Sequence, residues 1–299
     1  MMLRSLTRGV ALALTAALAL GAAACGGSSG AGSGGDKKKI TIGYMAWDEA
    51  VAASNLWKKV LEDKGYQVEL KNLEAGLVFG GLASKDIDLF LDGWLPQTHA
   101  SYLDKYGKRL DDVGTWYDNA SLSIAVPKYV QDVNSIEDLS GKAGEFNGEL
   151  IGIEPGAGLT KATQEKTLPQ YGLDGSMKLK TSSTPAMLAA LDSAIKNKKP
   201  VAVTLWHPHW AYAKYDLKDL KDPKGTLGKA EQVHTLTRKG FDKDFPEVTD
   251  MLKKFKMDNE QLATLEDQMF NQHKGDEAAA VDAWLKANPD YLKSLGAAA

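Results

Sequence analysis

The sequence predicts an α/β protein folded as two lobes, and three observations carry that prediction. From Ile40 onward, short apolar strand patterns alternate with amphipathic helical ones, the signature of βαβ units and mostly parallel sheets. The chain has 299 residues, near the upper limit of a single hydrophobic core, so two lobes of roughly 100–150 residues are expected. Two long irregular crossings, Trp94–Leu122 and Trp206–Val233, are unlike the regular short loops of a barrel and suit two α/β lobes better. No internal repeat of fixed period is present. Composition excludes other classes: 43% hydrophobic and 25% charged residues are those of an ordinary globular chain, not of a disordered, fibrous or multi-span membrane protein. Lys+Arg number 36 against 39 Asp+Glu, a formal charge of −3. Without a basic excess, nucleic acid and anionic membrane surfaces are poor partners, and a small molecule or a protein is expected.

Taken in order, the elements begin with an uncharged run. Arg4 and Arg8 precede Gly9–Ala24, a stretch rich in Ala and Leu. It is too short for a comfortable span and has the form of an export signal, assigned to residues 1–24. It runs into Ala22-Ala23-Ala24-Cys25, and Cys25 is the only cysteine of the chain. A lone cysteine after small residues at this place resembles a bacterial lipobox, which implies cleavage before Cys25 and a lipid on its sulfur; the alternative is a small buried thiol. Residues 25–39, with Gly26–Asp36 reading GGSSGAGSGGD, are expected to be the lipidated cysteine and a flexible tether. The arrangement would hold a body at the outer face of a cell membrane through a lipid anchor only.

In the body, Ile40–Tyr44 reads as a strand. Asp48 is expected to cap a helix whose apolar face is Ala53, Leu56, Trp57, Val60 and Leu61, stopping at Gly65. Strands are expected at Tyr66–Leu70, Ile87–Leu91, Leu122–Val126, Leu150–Glu154, Met177–Lys180, Val201–Trp206 and Val233–Thr237. Helices are expected at Leu77–Ala83, Ser135–Leu139, Lys161–Leu168 and Pro185–Ile195, then near 246–256, 259–270 and 276–285.

Catalytic and metal constellations are not visible. No Gly-x-Gly-x-x-Gly follows a strand, and there is no Walker loop and no His-Glu-x-x-His. Gly26–Gly30 spells Gly-x-Ser-x-Gly, but in a linker, where a nucleophile elbow cannot form. His207 and His209 flank Pro208 without a Cys or carboxylate cluster, so no metal and no cofactor are expected. An enzyme acting on the ligand would have only His99 and Asp48 to work with, and neither has a visible partner; the chain reads as a binding protein, not an enzyme.

The positive signal is aromatic. Trp47, Trp94 and Trp206 fall at or just past the carboxyl ends of expected strands, and Gly156-Ala157-Gly158 occupies the same place after Leu150–Glu154. In open α/β sheets ligands bind outside those ends. Three indole faces suit a quaternary ammonium group, and a helix N-terminus suits an anion. A small zwitterion with both groups fits. Buried ballast is the alternative for any one tryptophan, and Trp57 and Trp284, on helices, are read as core.

At these residues the sequence resembles a known family. Tyr44-Met45-Ala46-Trp47-Asp48, Gly93-Trp94-Leu95-Pro96-Gln97-Thr98-His99, Ile151–Gly158, and Leu205-Trp206-His207-Pro208-His209-Trp210 look like the glycine betaine-binding proteins of osmoprotectant ABC importers. Asp132–Leu139 and His234–Gly240 are similar as well. The resemblance implies a two-lobed, periplasmic-binding-protein-like (type II) fold with a ligand cleft between the lobes. It implies a tryptophan cage of Trp47, Trp94 and Trp206, with the ligand carboxylate held by the N–H groups of Gly158 and Leu159 and the ring of His99. It implies lobe 1 at 40–125 plus 238–299 and lobe 2 at 126–237, and delivery of glycine betaine or a related betaine to a permease with its ATPase. Choline or carnitine is the alternative ligand.

Overall fold

The computed structural model describes residues 38–297. The expected export signal, Cys25 and most of the tether lie outside the described residues. No described helix is long and apolar enough to cross a membrane.

Among the described residues nine strands form one continuous sheet. They are β1 (Lys39–Tyr44), β2 (Gln67–Asn72), β3 (Leu89–Leu95), β4 (Leu110–Pro127), β5 (Glu149–Ile151), β6 (Lys178–Lys180), β7 (Val203–His207), β8 (Leu217–Asp219) and β9 (Glu231–Arg238). The order is β2-β1-β3-β9-β4-β7-β5-β6, with β8 on β4. The pairs β1–β2, β1–β3, β5–β6 and β5–β7 are parallel, as expected of βαβ units. The centre is antiparallel, because β4 and β9 run against their neighbours.

Strand β4 joins two halves of the sheet. Up to Ala120 it pairs with β9, and from Ser121 onward with β7. This differs from the irregular crossing expected over Trp94–Leu122. The strand is broken by register shifts near Gly114, Tyr117 and Ala120. Gly114 sits at φ +139° and Asn119 at φ +64°. Bulges admit such residues, which in the bare sequence read as turns.

Helix α1 (Asp48–Asp63) buries the expected stripe: Ala53, Leu56, Trp57 and Leu61 have no accessible surface. It ends before Gly65, whose φ of +86° is left-handed. Asp48 does not cap it; Trp47 holds the N-cap position, and the Asp48 carboxylate accepts the indole N–H of Trp210 instead. Helix α2 (Ala75–Ser84) covers β1 and β3, and α3 (Ala100–Tyr106) packs beside α2. Helices at 259–267 and 277–287 pack on α1. In the other half, α4 (Leu139–Lys142) precedes β5, and α5 (Gly158–Ala162) follows it and continues as helix to Gln170.

Candidate functional site

The three tryptophans come together where the two halves meet. Trp47 lies between β1 and α1, and Trp94 and Trp206 are the penultimate residues of β3 and β7. Strand β3 runs with β4 and β7 runs against it, so the carboxyl ends of the two parallel sets point toward each other along β4, and the three tryptophans meet between those ends. With Glu49, Thr98, Leu122, Ile153, Ala157 and Leu159 they line a small cavity. The wall contains one ionisable side chain, Glu49.

Each indole N–H is directed to a carboxylate, which leaves the ring faces free of any polar task. Trp94 donates to Asp92 at 2.9 Å within its own strand. Trp206 donates to Glu49 at 2.8 Å across the halves, and Trp47 donates to Glu154 in the opposite direction. Trp210, just past β7, donates to Asp48. Behind the cage these carboxyls crowd together. Burial raises Asp48 to about 7. Burial, then the nearby charge of Asp48, raises Glu49 to about 8. Asp92 and Glu266 are raised well above the ordinary range by burial and by the charge of Glu49, reinforced for Glu266 by Asp48. Low polarity opposes the charged form, and among the described residues no Lys or Arg is within ion-pairing distance of any of the four. Asp48 and Glu49 are therefore mostly protonated at mildly acidic pH, and a cation entering the cavity would find Glu49 ready to ionise.

His99 is fully buried and stacks on Trp47, ring centroids 5.6 Å apart and planes 12° from parallel. Its Nδ1 accepts the Trp94 backbone N–H at 3.0 Å. In the neutral ring the proton must therefore sit on Nε2, which is buried without a partner. Burial lowers its pKa to about 3, so this tautomer persists throughout the neutral range. His99 does not itself line the cavity; its ring lies against that of Trp47, which does.

Leu159 lines the cavity directly, whereas Gly158 lies on a groove immediately outside it with Gln97 and Thr98. A Cβ on Gly158 would stand 2.4 Å from the carbonyl oxygen of Thr98, so only glycine allows the two halves to approach this closely. The N–H groups of Gly158 and Leu159 open α5 and have no carbonyl behind them in the helix.

Trp57 and Trp284 are core, at 0% and 1% exposure, as expected. The two histidines of the His-Pro-His triplet diverge: His207 meets Asp219 at 2.7 Å, and His209 lies 3.2 Å from Asp48. Sequence reasoning missed Glu49, Asp92, Glu154, Trp210 and Glu266. Asp92 and Glu49 stand two residues from a cage tryptophan. Glu266 occupies the apolar stripe formed by Leu262, Leu265 and Met269, a position where a carboxylate is out of place.

Residues 38–287 match a family model described as the substrate binding domain of the ABC-type glycine betaine transport system. The glycine betaine/carnitine transport binding protein GbuC of Listeria monocytogenes is 40% identical over 149 residues, 50% of this chain and 49% of that protein. The match thus spans about half the length of this curated relative. A glycine betaine/L-proline-binding protein of Borrelia burgdorferi has a crystal structure 34% identical in sequence with a TM-score of 0.81, covering 86% of this chain and 96% of that one. Lactococcal OpuAC, solved closed with glycine betaine, is 36% identical with a TM-score of 0.79, covering 87% and 98%. With these neighbours the chain has the two-lobed α/β fold of type II substrate-binding proteins.

Proposed function

Because the chain belongs to the family of substrate-binding domains of ABC-type glycine betaine transport systems, we propose that it captures glycine betaine, chemically unchanged, and presents it to a membrane permease driven by an ATPase. The observation that supports this best is the cavity walled by Trp47, Trp94 and Trp206 with Glu49 among its lining. Indole faces and a carboxyl group together suit a trimethylammonium head, which has charge but no N–H donor to satisfy. The ligand carboxylate is assigned to the N–H groups of Gly158 and Leu159 and to the Nε2–H of His99.

The lobes are proposed to hinge on β4 and on the chain entering β9. The sheet pairing supports boundaries a few residues before 125 and 237, since β4 changes partner at Ser121 and β9 pairs only with β3 and β4. Neither lobe alone completes the cage, so the ligand would favour the closed arrangement through contacts available only there. The body is proposed to be held at the outer face of the cell membrane by a lipid on Cys25; a Cys25→Ser chain should leave the membrane fraction, and one still bound after a high-salt wash would sink the anchor.

Calorimetric titration with glycine betaine, proline betaine, carnitine and choline tests the assignment. Saturable binding of glycine betaine is expected. No heat and no change in tryptophan emission at millimolar betaine would reject it.

A further inference from the structure

Two of the cage tryptophans make a reciprocal exchange across the cleft. Trp206, from the β7 half, gives its N–H to Glu49 in the β1 half; Trp47, from the β1 half, gives its N–H to Glu154 on the chain leaving β5. Glu49 lines the cavity, but Glu154 does not. Glu154 is half-buried, and its pKa is raised by burial and opposed by the Trp47 bond, with the charge of Glu74 adding to the rise. No basic side chain pairs with it among the described ion pairs. A carboxylate in that setting serves one visible partner, the Trp47 indole.

The Glu154–Gly158 loop is gripped from the β1 half at three points. Trp47 bonds Glu154, the Tyr102 hydroxyl donates to the Gly156 carbonyl at 2.8 Å, and Thr98 presses against Gly158. The same loop leads into the Gly158 and Leu159 N–H groups, so its placement fixes the distance between the tryptophan faces and those donors. Trp47 is in turn stacked against the His99 ring.

We propose that Glu154 is a positioning residue: by accepting the Trp47 N–H across the cleft it orients that cage wall, registers the donor loop against it, and holds the two halves together once ligand is bound. This rests on the betaine-cage reading above. A bond between the halves acts after they close, so its loss should appear in ligand escape and not in ligand arrival.

The test measures glycine betaine association and dissociation rates by stopped-flow tryptophan fluorescence for the unaltered protein, Glu154→Ala and Glu154→Gln, with the melting temperature of each without ligand. Glu154→Ala is expected to dissociate about tenfold faster, the scale of one charge-assisted hydrogen bond, with association within twofold. Glu154→Gln keeps a carbonyl acceptor for the indole and is expected to recover most of that loss. Melting temperatures without ligand should agree. Unchanged dissociation in Glu154→Ala, equal losses in both variants, or a loss matched by a lower melting temperature overturns the positioning role. If the unaltered protein binds no betaine, the functional reading falls and this proposal with it; binding by the unaltered protein with no effect of the variants overturns this proposal alone.

Discussion

At the residue scale the site separates shape from charge. The faces of Trp47, Trp94 and Trp206 are apolar walls, and their only polar atoms are engaged behind the cavity by Glu154, Asp92 and Glu49. Truncating any one of the three to Ala should weaken glycine betaine binding by roughly 1–2 kcal/mol or more, the value of a desolvated cation–π face. Trp57→Ala, inside the α1 core, should instead lower stability by about 3–5 kcal/mol and leave affinity nearly unchanged. Titration and thermal melting of the four variants check this, and equal affinity losses in all four would mean that fold damage is being measured. His99 is proposed to act on the other end of the ligand. Its Nδ1 is occupied by the Trp94 N–H, which leaves a neutral Nε2–H as the donor. A carboxylate uses such a donor far better than a hydroxyl does. His99→Ala should therefore narrow the preference for glycine betaine over choline, measured by paired titrations; an unchanged ratio would remove His99 from the anion end.

At the element scale the site depends on how closely α5 meets the turn before α3. Gly158, the first residue of α5, lies against Thr98. A methyl group there would overlap the Thr98 carbonyl, which is backbone and cannot rotate away, so the halves must part. Gly158→Ala should cost about tenfold or more in betaine affinity. Its melting temperature without ligand should move little, because the overlap arises only where the halves touch; a drop as large as that of Trp57→Ala would place the strain inside one half. The elements that position the site were legible in the sequence where pattern and burial agree. Strand β1 and helix α1 have unbroken periodicities, and the turn from β1 into α1 delivers Trp47. Strand β4 was not legible over residues 110–121, because bulges at Gly114 and near Asn119 look like turns until the partner strand is known. Asp48 was misread for a related reason. A carboxylate at a helix start is ordinarily a cap, and only the tertiary fold brings Trp210 within its reach. The convergence of three tryptophans on one cavity was legible from their equivalent strand ends. The carboxyls behind it were not, since their proximity depends on β1, β3 and the helix at 259–267 converging.

At the scale of the whole molecule, the buried carboxyls couple folding, binding and pH with opposite signs. Glu49 moves from an ordinary 4.5 to about 8 on folding and Asp48 from 3.8 to about 7. A group raised on folding contributes stability that is complete below its unfolded pKa and is lost as pH rises through the folded value. His99 and His209 move the other way, from 6.5 to about 3, by burial. Their contribution is complete above the unfolded value and is lost only as pH falls below it. Between pH 6.5 and 9 the histidines are therefore silent and the carboxyls alone tilt the balance, so the ligand-free protein should melt at progressively lower temperature across that window. A trimethylammonium beside Glu49 reverses the sign for binding. The cation favours the carboxylate, so capture in the neutral range should expel protons, and affinity should rise with pH until it levels off above about 8. Calorimetry at pH 6.5, 7.5 and 8.5 in two buffers of different ionisation enthalpy reads the proton count directly. Glu49→Gln keeps an acceptor for the Trp206 N–H but has nothing to ionise, and should flatten both the melting trend and the binding trend. Proton uptake on binding, or a pH slope that survives in Glu49→Gln, would show that the buried carboxyl facing the cage does not sense the ligand's charge.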